Sequence, residues 1–414
     1  MISADEARSL VLSRLGPLAP VERRLGECVG LVAASTITAR EPAPNFTNSA
    51  MDGFAVRAGD VSSPETRLRI VDSVFAGESS EVVVGAGEAM RIMTGAPLPA
   101  GADAVCPRED ATVEPDGDHV VIHRSVAVGD SVRGVGDDMT VGETLVEPGD
   151  VITPALIGTL AAQGLTSMQV HPTPRVGVLS TGNELVDGET LLPGQIRDSN
   201  RPALLAALGA SGFPAVDLGT VRDAKDDLRA AFKRALGECD AVISTGGVSA
   251  GDADFVKVVL AELFGEDARS MQVAIRPGKP FTFALDPATA TPFFGLAGNP
   301  VSTLVGFELF VRPALRRLAG QRDIDRPTVP MVLDVDLVRE PDGKTHLVHG
   351  VCRVRDDGRL HVERLARRGS HLLFAIAQSN CLVIAPDGPT LAAGDTVRAL
   401  VLDDARLNAV TDRP

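Results

Sequence analysis

The chain has no tryptophan, no tyrosine and only 14 phenylalanines among its 414 residues. Proteins that bind single-stranded nucleic acids stack bases on aromatic side chains, and this composition offers few of them. Basic residues are also outnumbered, because 40 Lys and Arg face 55 Asp and Glu and give a formal net charge of -15. Since phosphate binding needs a basic surface, the composition argues against a nucleic-acid partner.

Cysteine is scarce as well: the five cysteines are far apart in the sequence, and no two of them form a Cys-x-x-Cys pair. This spacing indicates neither a disulfide framework nor a thiolate zinc site, so we expect packing roles. The pairs His119/His123 and His346/His349 lie in segments predicted as strand or turn, where their spacing gives no shared helical face. The sequence therefore does not favour a histidine metal site.

Long apolar runs are absent too. No run approaches the roughly 18 to 20 residues that span a bilayer, and the first ten residues lack the basic-then-apolar pattern of a signal peptide. We therefore expect a cytoplasmic protein with no membrane contact. A hydrophobic content of 44% is typical of a globular protein, and the length predicts about two to four domains.

The first part of the chain predicts helical segments around a β-rich insertion. Apolar patterns over residues 10–15 and 156–165 indicate helices, whereas residues 41–138 contain short Val and Ile runs broken by Gly, Pro and Asp. Those runs predict strands at residues 81–84, 120–123 and 126–128. Residues 1–40 and 139–172 are then expected to form one discontinuous helical domain.

Residues 173–322 alternate between strand and helix patterns, which predicts a doubly wound parallel α/β domain. The apolar runs place strands at residues 176–180, 215–218, 241–245 and 293–297, and helices at residues 202–208, 225–236, 253–263 and 300–318. Residues 326–414 return to short strands separated by turns such as Pro341-Asp342-Gly343. We expect this last part to form a small β-barrel.

Polar loops follow the predicted strands of the α/β domain. In an open parallel sheet such loops meet at the carboxyl edge, where ligands bind. Gly246 and Gly247 allow the backbone to approach a ligand and present N–H groups to an anion, although a tight strand-to-helix turn would also use them. Asn299 and Pro300 read as the cap and first residue of a helix, which would leave the N–H groups of Val301 and Ser302 for an oxyanion.

Three carboxylates come from three of these loops, namely Glu184, Asp223 and Asp254. Each alone could be a surface cap, but hard oxygens that converge beside a phosphate-binding backbone suit Mg²⁺. Arg276 and Lys279 lie in a turn stiffened by prolines and offer positive charge for the same phosphates.

Two segments of the predicted insertion carry candidate functional motifs. Asn-Phe-Thr-Asn-Ser-Ala-Met-Asp-Gly-Phe-Ala-Val occupies residues 45–56, and Arg-Ile-Met-Thr-Gly-Ala-Pro-Leu-Pro occupies residues 91–99. Met-Asp-Gly alone could be a turn into a strand, with Gly53 chosen for its backbone freedom. The second segment, with Thr94, favours a functional role for Asp52.

Three further motifs lie in the predicted α/β domain: Ser-Thr-Gly-Asn-Glu-Leu, Gly-Gly-Val-Ser-x-Gly and Gly-Asn-Pro-Val-Ser. Together with the two segments of the insertion, they resemble the MoeA family of molybdopterin molybdenumtransferases over essentially the whole chain. The family includes the E domain of gephyrin, and the resemblance also implies the discontinuous first domain. It implies catalytic roles for Asp52, Thr94, Arg133, Asp138, Glu184, Asp223 and Asp254. The candidate substrate-binding residues are Thr181, Gly246, Gly247, Ser249, Arg276, Lys279, Asn299, Pro300, Ser302 and Ser370.

The implied reaction is the insertion of molybdate into adenylylated molybdopterin, with cleavage of the phosphoanhydride and release of AMP and molybdenum cofactor. The resemblance further implies Mg²⁺ on Glu184, Asp223 and Asp254, and a homodimer in which the insertion of one subunit faces the α/β domain of the other. Transient contacts with a molybdopterin adenylyltransferase or molybdoenzyme acceptors are expected.

Two other classes stay open. An adenylyltransferase-like nucleotide enzyme could share the α/β domain, but it would not need the Asp52 and Thr94 motifs. A gephyrin-like scaffold would not need all the carboxylates. The chain also departs from the family, because Phe54 stands where Tyr is common, Ala297 stands where Pro is common, and residues 133–138 are less basic.

Overall fold

The computed structural model describes residues 1–186, 190–247, 255–365, 369–403 and 407. The first helix is Ala4–Leu12, and a reciprocal capping box between Ser3 and Glu6 starts it. Ala7 and Val11 are buried in the core of the α/β domain rather than among neighbours in sequence. The helix predicted at residues 10–15 therefore begins earlier than expected, and it packs on the α/β domain instead of the first domain.

The remainder of the first domain is built mainly from short strands. Its helix is Pro154–Ala162, with Thr153 as cap. Ser167–His171 pairs with Val21–Arg24 and Val32–Ala33, and Thr144–Val146 pairs with Ile37–Thr38. Strands of two to five residues are too short to show an alternating pattern, so the prediction of a helical unit missed them.

The insertion carries a six-stranded sheet with apolar clusters on both faces. Its strand order is Ala104–Pro107, Gly53–Val56, Glu88–Ile92, Thr66–Val74, His119–Ile122 and Ala111–Val113. A two-stranded ribbon pairs Asn48–Ser49 with Val132–Arg133. The strand predicted at residues 120–123 is confirmed, but those predicted at 81–84 and 126–128 are wrong. Each of these apolar runs buries a single valine, Val84 or Val126, and forms no ladder.

The α/β domain is confirmed as a doubly wound sheet. Its first four strands in spatial order, Ala215–Val221, Val176–Thr181, Ala241–Thr245 and Pro292–Leu296, are parallel. Pro280–Leu285 and Arg269–Gln272 extend the sheet in antiparallel fashion and were not predicted. The covering helices are Asn200–Ala210, Lys225–Glu238, Phe255–Phe264 and Pro300–Gly306, the last continuing through a π-helical segment, Phe307–Val311, into Arg312–Leu318.

The C-terminal part is a closed five-stranded barrel, as predicted. Its strands are Thr328–Leu333, Thr345–Val354, Leu360–Arg364, Cys381–Ala385 and Thr396–Val401. Ile275–Arg276 of the α/β domain pairs in parallel with Thr345 and His346, which fixes the barrel beside the carboxyl edge of the sheet. Within the described part of the chain, no helix has the length and apolar character needed to cross a bilayer.

Candidate active site

Asp52 and Thr94 are in direct contact in the insertion. Asp52 Oδ1 accepts hydrogen bonds from the Thr94 backbone N–H and the Thr94 hydroxyl, each at 2.8 Å. These bonds favour the ionised carboxylate and lower the pKa of Asp52, the backbone bond contributing most. The structure therefore brings together two residues that lie 42 positions apart in the sequence.

Gly53 serves a purpose other than the turn expected from the sequence. It lies within the strand Gly53–Val56, where an added Cβ would lie 1.9 Å from the carbonyl oxygen of Cys106. The close approach of the strand Ala104–Pro107 requires glycine here. The next residue, Phe54, is buried, and the guanidinium of Arg91 lies 5.9 Å from the centre of its ring.

Arg133 reaches the same region through the ribbon. Its backbone pairs with Asn48, and the Ser49 carbonyl accepts a hydrogen bond from Gly95 N–H at 2.8 Å. The two motifs and Arg133 are thus connected through the strand Asn48–Ser49. Asp138 lies further along the same loop, where its N–H donates to the Ala43 carbonyl, and its side chain is exposed.

Glu184 and Asp223 lie in adjacent loops at the carboxyl edge of the α/β sheet. The Asp223 N–H donates to Asn183 Oδ1 at 3.1 Å, which ties the two loops together. The Glu184 carboxylate folds back over Gly182, where an added Cβ would meet Glu184 Oε2 at 2.6 Å. Two carboxylates at one edge are a donor set that fits Mg²⁺. Asp254 and Ser249, also predicted here, lie outside the described residues.

The Gly246-Gly247 turn packs tightly on Thr181 of the neighbouring strand. A Cβ on Gly246 would lie 2.4 Å from the Thr181 carbonyl oxygen, and one on Gly247 would lie 2.2 Å from Val256. Both glycines have positive φ, 88° and 61°. The Gly246 N–H already donates to the Leu296 carbonyl at 3.2 Å, so the expectation that it serves an anion is wrong; Gly247 stays a prediction.

The helix that begins at Pro300 has Asn299 as its cap residue, as predicted. The Val301 N–H is not available to an oxyanion, because it donates to the Ser370 carbonyl at 3.1 Å. The same hydrogen bond places Ser370, from the barrel side, beside the start of the helix. Ser302 is buried, with 5% of its surface exposed.

A cavity of about 930 Å³ lies between the α/β domain and the barrel. Five of the predicted substrate-binding residues line it: Arg276, Lys279, Asn299, Ser302 and Ser370. A Cβ added to Gly298 would lie 3.7 Å from Gly246 Cα, so the Gly298-Asn299 loop connects this cavity to the sheet edge. The sheet edge and the cavity therefore form one continuous candidate site.

The barrel adds polar side chains to the cavity for which the sequence predicted no role at the site, among them Arg339, Asp342, Lys344 and His346. Asp342 accepts hydrogen bonds from Lys344 Nζ and His346 Nε2, each at 3.0 Å. The only signal in the sequence was the turn that contains Asp342. Its position against the cavity depends on the pairing of Arg276 with His346.

The Asp52 cluster and the cavity are separate within one chain. Among the described residues, no hydrogen bond or ion pair joins residues 41–138 to residues 173–322. The two parts of the predicted site are therefore each assembled by the fold, but they are not joined by it. The catalytic and binding roles of these residues stay predictions.

Three family profiles match successive parts of the chain. "MoeA N-terminal region (domain I and II)" matches residues 2–164, "Probable molybdopterin binding domain" matches residues 177–317, and "MoeA C-terminal region (domain IV)" matches residues 336–402. These matches extend over all the units described above.

Similar proteins match over nearly the full length. A Haemophilus influenzae protein named molybdopterin molybdenumtransferase is 35% identical over 401 residues, with 96% of this chain and 98% of that protein covered. A Mycobacterium tuberculosis protein named molybdopterin molybdenumtransferase 2 is 36% identical over 407 residues, with 96% and 98% covered. The crystal structure of a molybdopterin biosynthesis MoeA protein from Pyrococcus horikoshii superposes with a TM-score of 0.81 at 25% identity, covering 97% of this chain and 100% of that one.

Proposed function

The chain belongs to the MoeA family of molybdopterin molybdenumtransferases, and from that membership we propose that it inserts molybdate into adenylylated molybdopterin. The reaction releases AMP and molybdenum cofactor. The observation that carries the proposal is the cavity beside the sheet edge, where Arg276, Lys279 and Ser302 surround a space suited to an oxyanion.

The size and the lining of the cavity support this proposal. Its volume of about 930 Å³ lies within the range of roughly 300 to 1,000 Å³ found for small-molecule sites. Lys279 supplies a compact positive charge, and Val273 N–H donates to the Lys279 carbonyl at 2.8 Å, which holds the turn in place. Arg276 has a planar fork of donors, which is suited to the oxygens of molybdate or phosphate.

In this proposal the sheet edge binds the phosphoanhydride. Glu184 and Asp223 would hold Mg²⁺, which neutralises phosphate charge and polarises the P–O bond when it is bound. Gly247, whose φ of 61° suits glycine, would present its N–H to a phosphate oxygen. As the bridging bond breaks, negative charge grows on the leaving phosphate, and Lys279 at the adjoining cavity can stabilise it.

A homodimer would complete the site. Asp52 and Thr94 form a hydrogen-bonded pair in the insertion, in which the ionised carboxylate of Asp52 is favoured. Among the described residues, this pair makes no bond to the α/β domain. We propose that this pair faces the cavity of a second subunit, where Asp52 orients the substrate or accepts a proton from it.

The test is the release of AMP from adenylylated molybdopterin by the purified protein, with and without molybdate and Mg²⁺. We expect release that depends on both ions and falls at least tenfold in Lys279→Gln. Lys233→Gln, an exposed helix position of the same domain, is the matched control. An adenylyltransferase-like enzyme would instead form the adenylylated pterin from ATP, and a scaffold would do neither.

A further inference from the structure

Asp342 binds three nitrogen-bearing side chains of the cavity wall. Its carboxylate lies 3.0 Å from Lys344 Nζ, 3.0 Å from His346 Nε2 and 3.4 Å from Arg276. All four residues line the cavity. Its own N–H donates to Asp387 Oδ1 at 2.9 Å, so the turn that carries it is fixed to the barrel.

The carboxylate of Asp342 occupies side chains of the cavity wall that could otherwise bind an anion. Hydrogen bonds from Lys344 and then from His346 hold the pKa of Asp342 well below its usual range. An oxyanion that enters the cavity must therefore share these donors with a permanent negative charge. Lys279, which also lines the cavity, has no carboxylate partner among the described residues.

We propose that Asp342 is an internal counter-anion that weakens oxyanion binding in the cavity, so that the ion is held loosely enough to be passed on. The inference rests on the proposed function, because it takes the cavity as the oxyanion site. Asp342 keeps Arg276, Lys344 and His346 in place when no ligand is bound and competes with the ligand for them.

The proposal predicts that the effect of Asp342 on affinity depends on the charge of the ligand. At a separation of about 6 Å and a dielectric constant near that of water, removal of one negative charge strengthens the binding of a dianion about tenfold and that of a monoanion about threefold. A carboxylate that only positions its neighbours would produce no such dependence on ligand charge.

The experiment measures the binding of molybdate and of perchlorate to the full-length protein by equilibrium dialysis, without pterin. We expect Asp342→Asn to bind molybdate about tenfold and perchlorate about threefold more tightly than the wild type. Lys344→Gln should bind molybdate more weakly, which checks that the ion occupies this cavity.

The matched control is Asp334→Asn on the same barrel. Asp334 also binds an arginine and a histidine, Arg355 at 2.7 Å and His361 at 2.8 Å, but does not line the cavity. The variant Asp334→Asn should leave the affinities for molybdate and perchlorate unchanged. Unchanged or weaker molybdate binding in Asp342→Asn, with a wild-type melting temperature, would overturn the inference. The proposed function is decided separately by AMP release from the wild-type protein, so that either can fail alone.

Discussion

Replacement of Gly53 by alanine should destabilise the insertion domain and disturb Asp52. The added Cβ would lie 1.9 Å from the Cys106 carbonyl oxygen, 2.9 Å from its carbon and 3.0 Å from Pro107 Cα. All three contacts are backbone atoms of the neighbouring strand, so no side chain can turn away. The two strands would have to separate by about 1 Å, which is typical of an overpacked site.

The cost can be estimated from the packing of the strand. Phe54, Ala55 and Val56 are buried on both faces of the sheet, with 4%, 0% and 0% of their surfaces exposed, so a shift of the strand disturbs both apolar clusters. Overpacking costs about 1 to 3 kcal/mol, and we expect about 3 kcal/mol here. For a domain of this size, that lowers the melting temperature by at least about 10 °C.

Differential scanning calorimetry of the full-length protein measures the effect. Gly59→Ala is the matched control, because it lies in the same domain and an added Cβ there meets nothing within 4 Å. The Arg108 N–H donates to the Asp52 carbonyl at 2.9 Å, so the disturbed strand should also lower AMP release. If Gly53→Ala melted no earlier than Gly59→Ala, the proposed reason for glycine at this position would be refuted.

Three further predictions follow from the site and the barrel. Glu184→Gln should raise the Mg²⁺ concentration needed for half-maximal AMP release without changing the melting temperature, because the side chain is an exposed loop residue; a large loss of stability with an unchanged Mg²⁺ requirement would contradict this. Asp223→Asn should behave in the same way in the same titration. Burial lowers the pKa of His349 from 6.5 to about 4, so the unfolded chain binds more protons between these values and stability should fall as the pH decreases through this range. Between pH 6.5 and 4.5, the free energy of unfolding measured by chemical denaturation should fall by about 2 kcal/mol more in the wild type than in His349→Gln. Equal decreases in the two proteins would refute a buried neutral imidazole.

The sequence predicted the parts of the fold that have strong local patterns. Parallel strands such as Ala241–Thr245 are buried along their whole length and are followed by helices, so a short apolar run and its loop identify them. Pro280–Leu285 is buried apart from its first residue but is joined to its antiparallel neighbours without helices. Its position at the sheet depends on pairing that no local pattern records.

The candidate site also combines features that the sequence predicts with features that depend on strand pairing. The carboxyl-edge loops could be predicted because strand order places them together whatever their side chains are. The contact of Asp52 with Thr94 could not be derived from spacing, because it depends on the register of Gly53–Val56 against Glu88–Ile92. Likewise, Asp342 reaches the cavity only because the barrel docks through Ile275–Arg276, and the Val301 N–H is used by Ser370 for the same reason.

In the proposed dimer, the Asp52 pair of one subunit and the cavity of the other form a single active site. Asp52→Ala and Lys279→Gln chains with different affinity tags can be co-expressed, and the heterodimer can be isolated by two successive purifications. If each site is shared between subunits, one site of this heterodimer combines the two mutated parts and is inactive. The other site combines the two unmutated parts and stays intact.

Molybdate-dependent AMP release by this heterodimer is the most direct measurement. We expect about half the wild-type rate per dimer, with each homodimeric variant nearly inactive. A site contained within one subunit would leave a mutation in both sites of the heterodimer. A purified heterodimer no more active than the two variant homodimers would therefore refute a site shared between subunits.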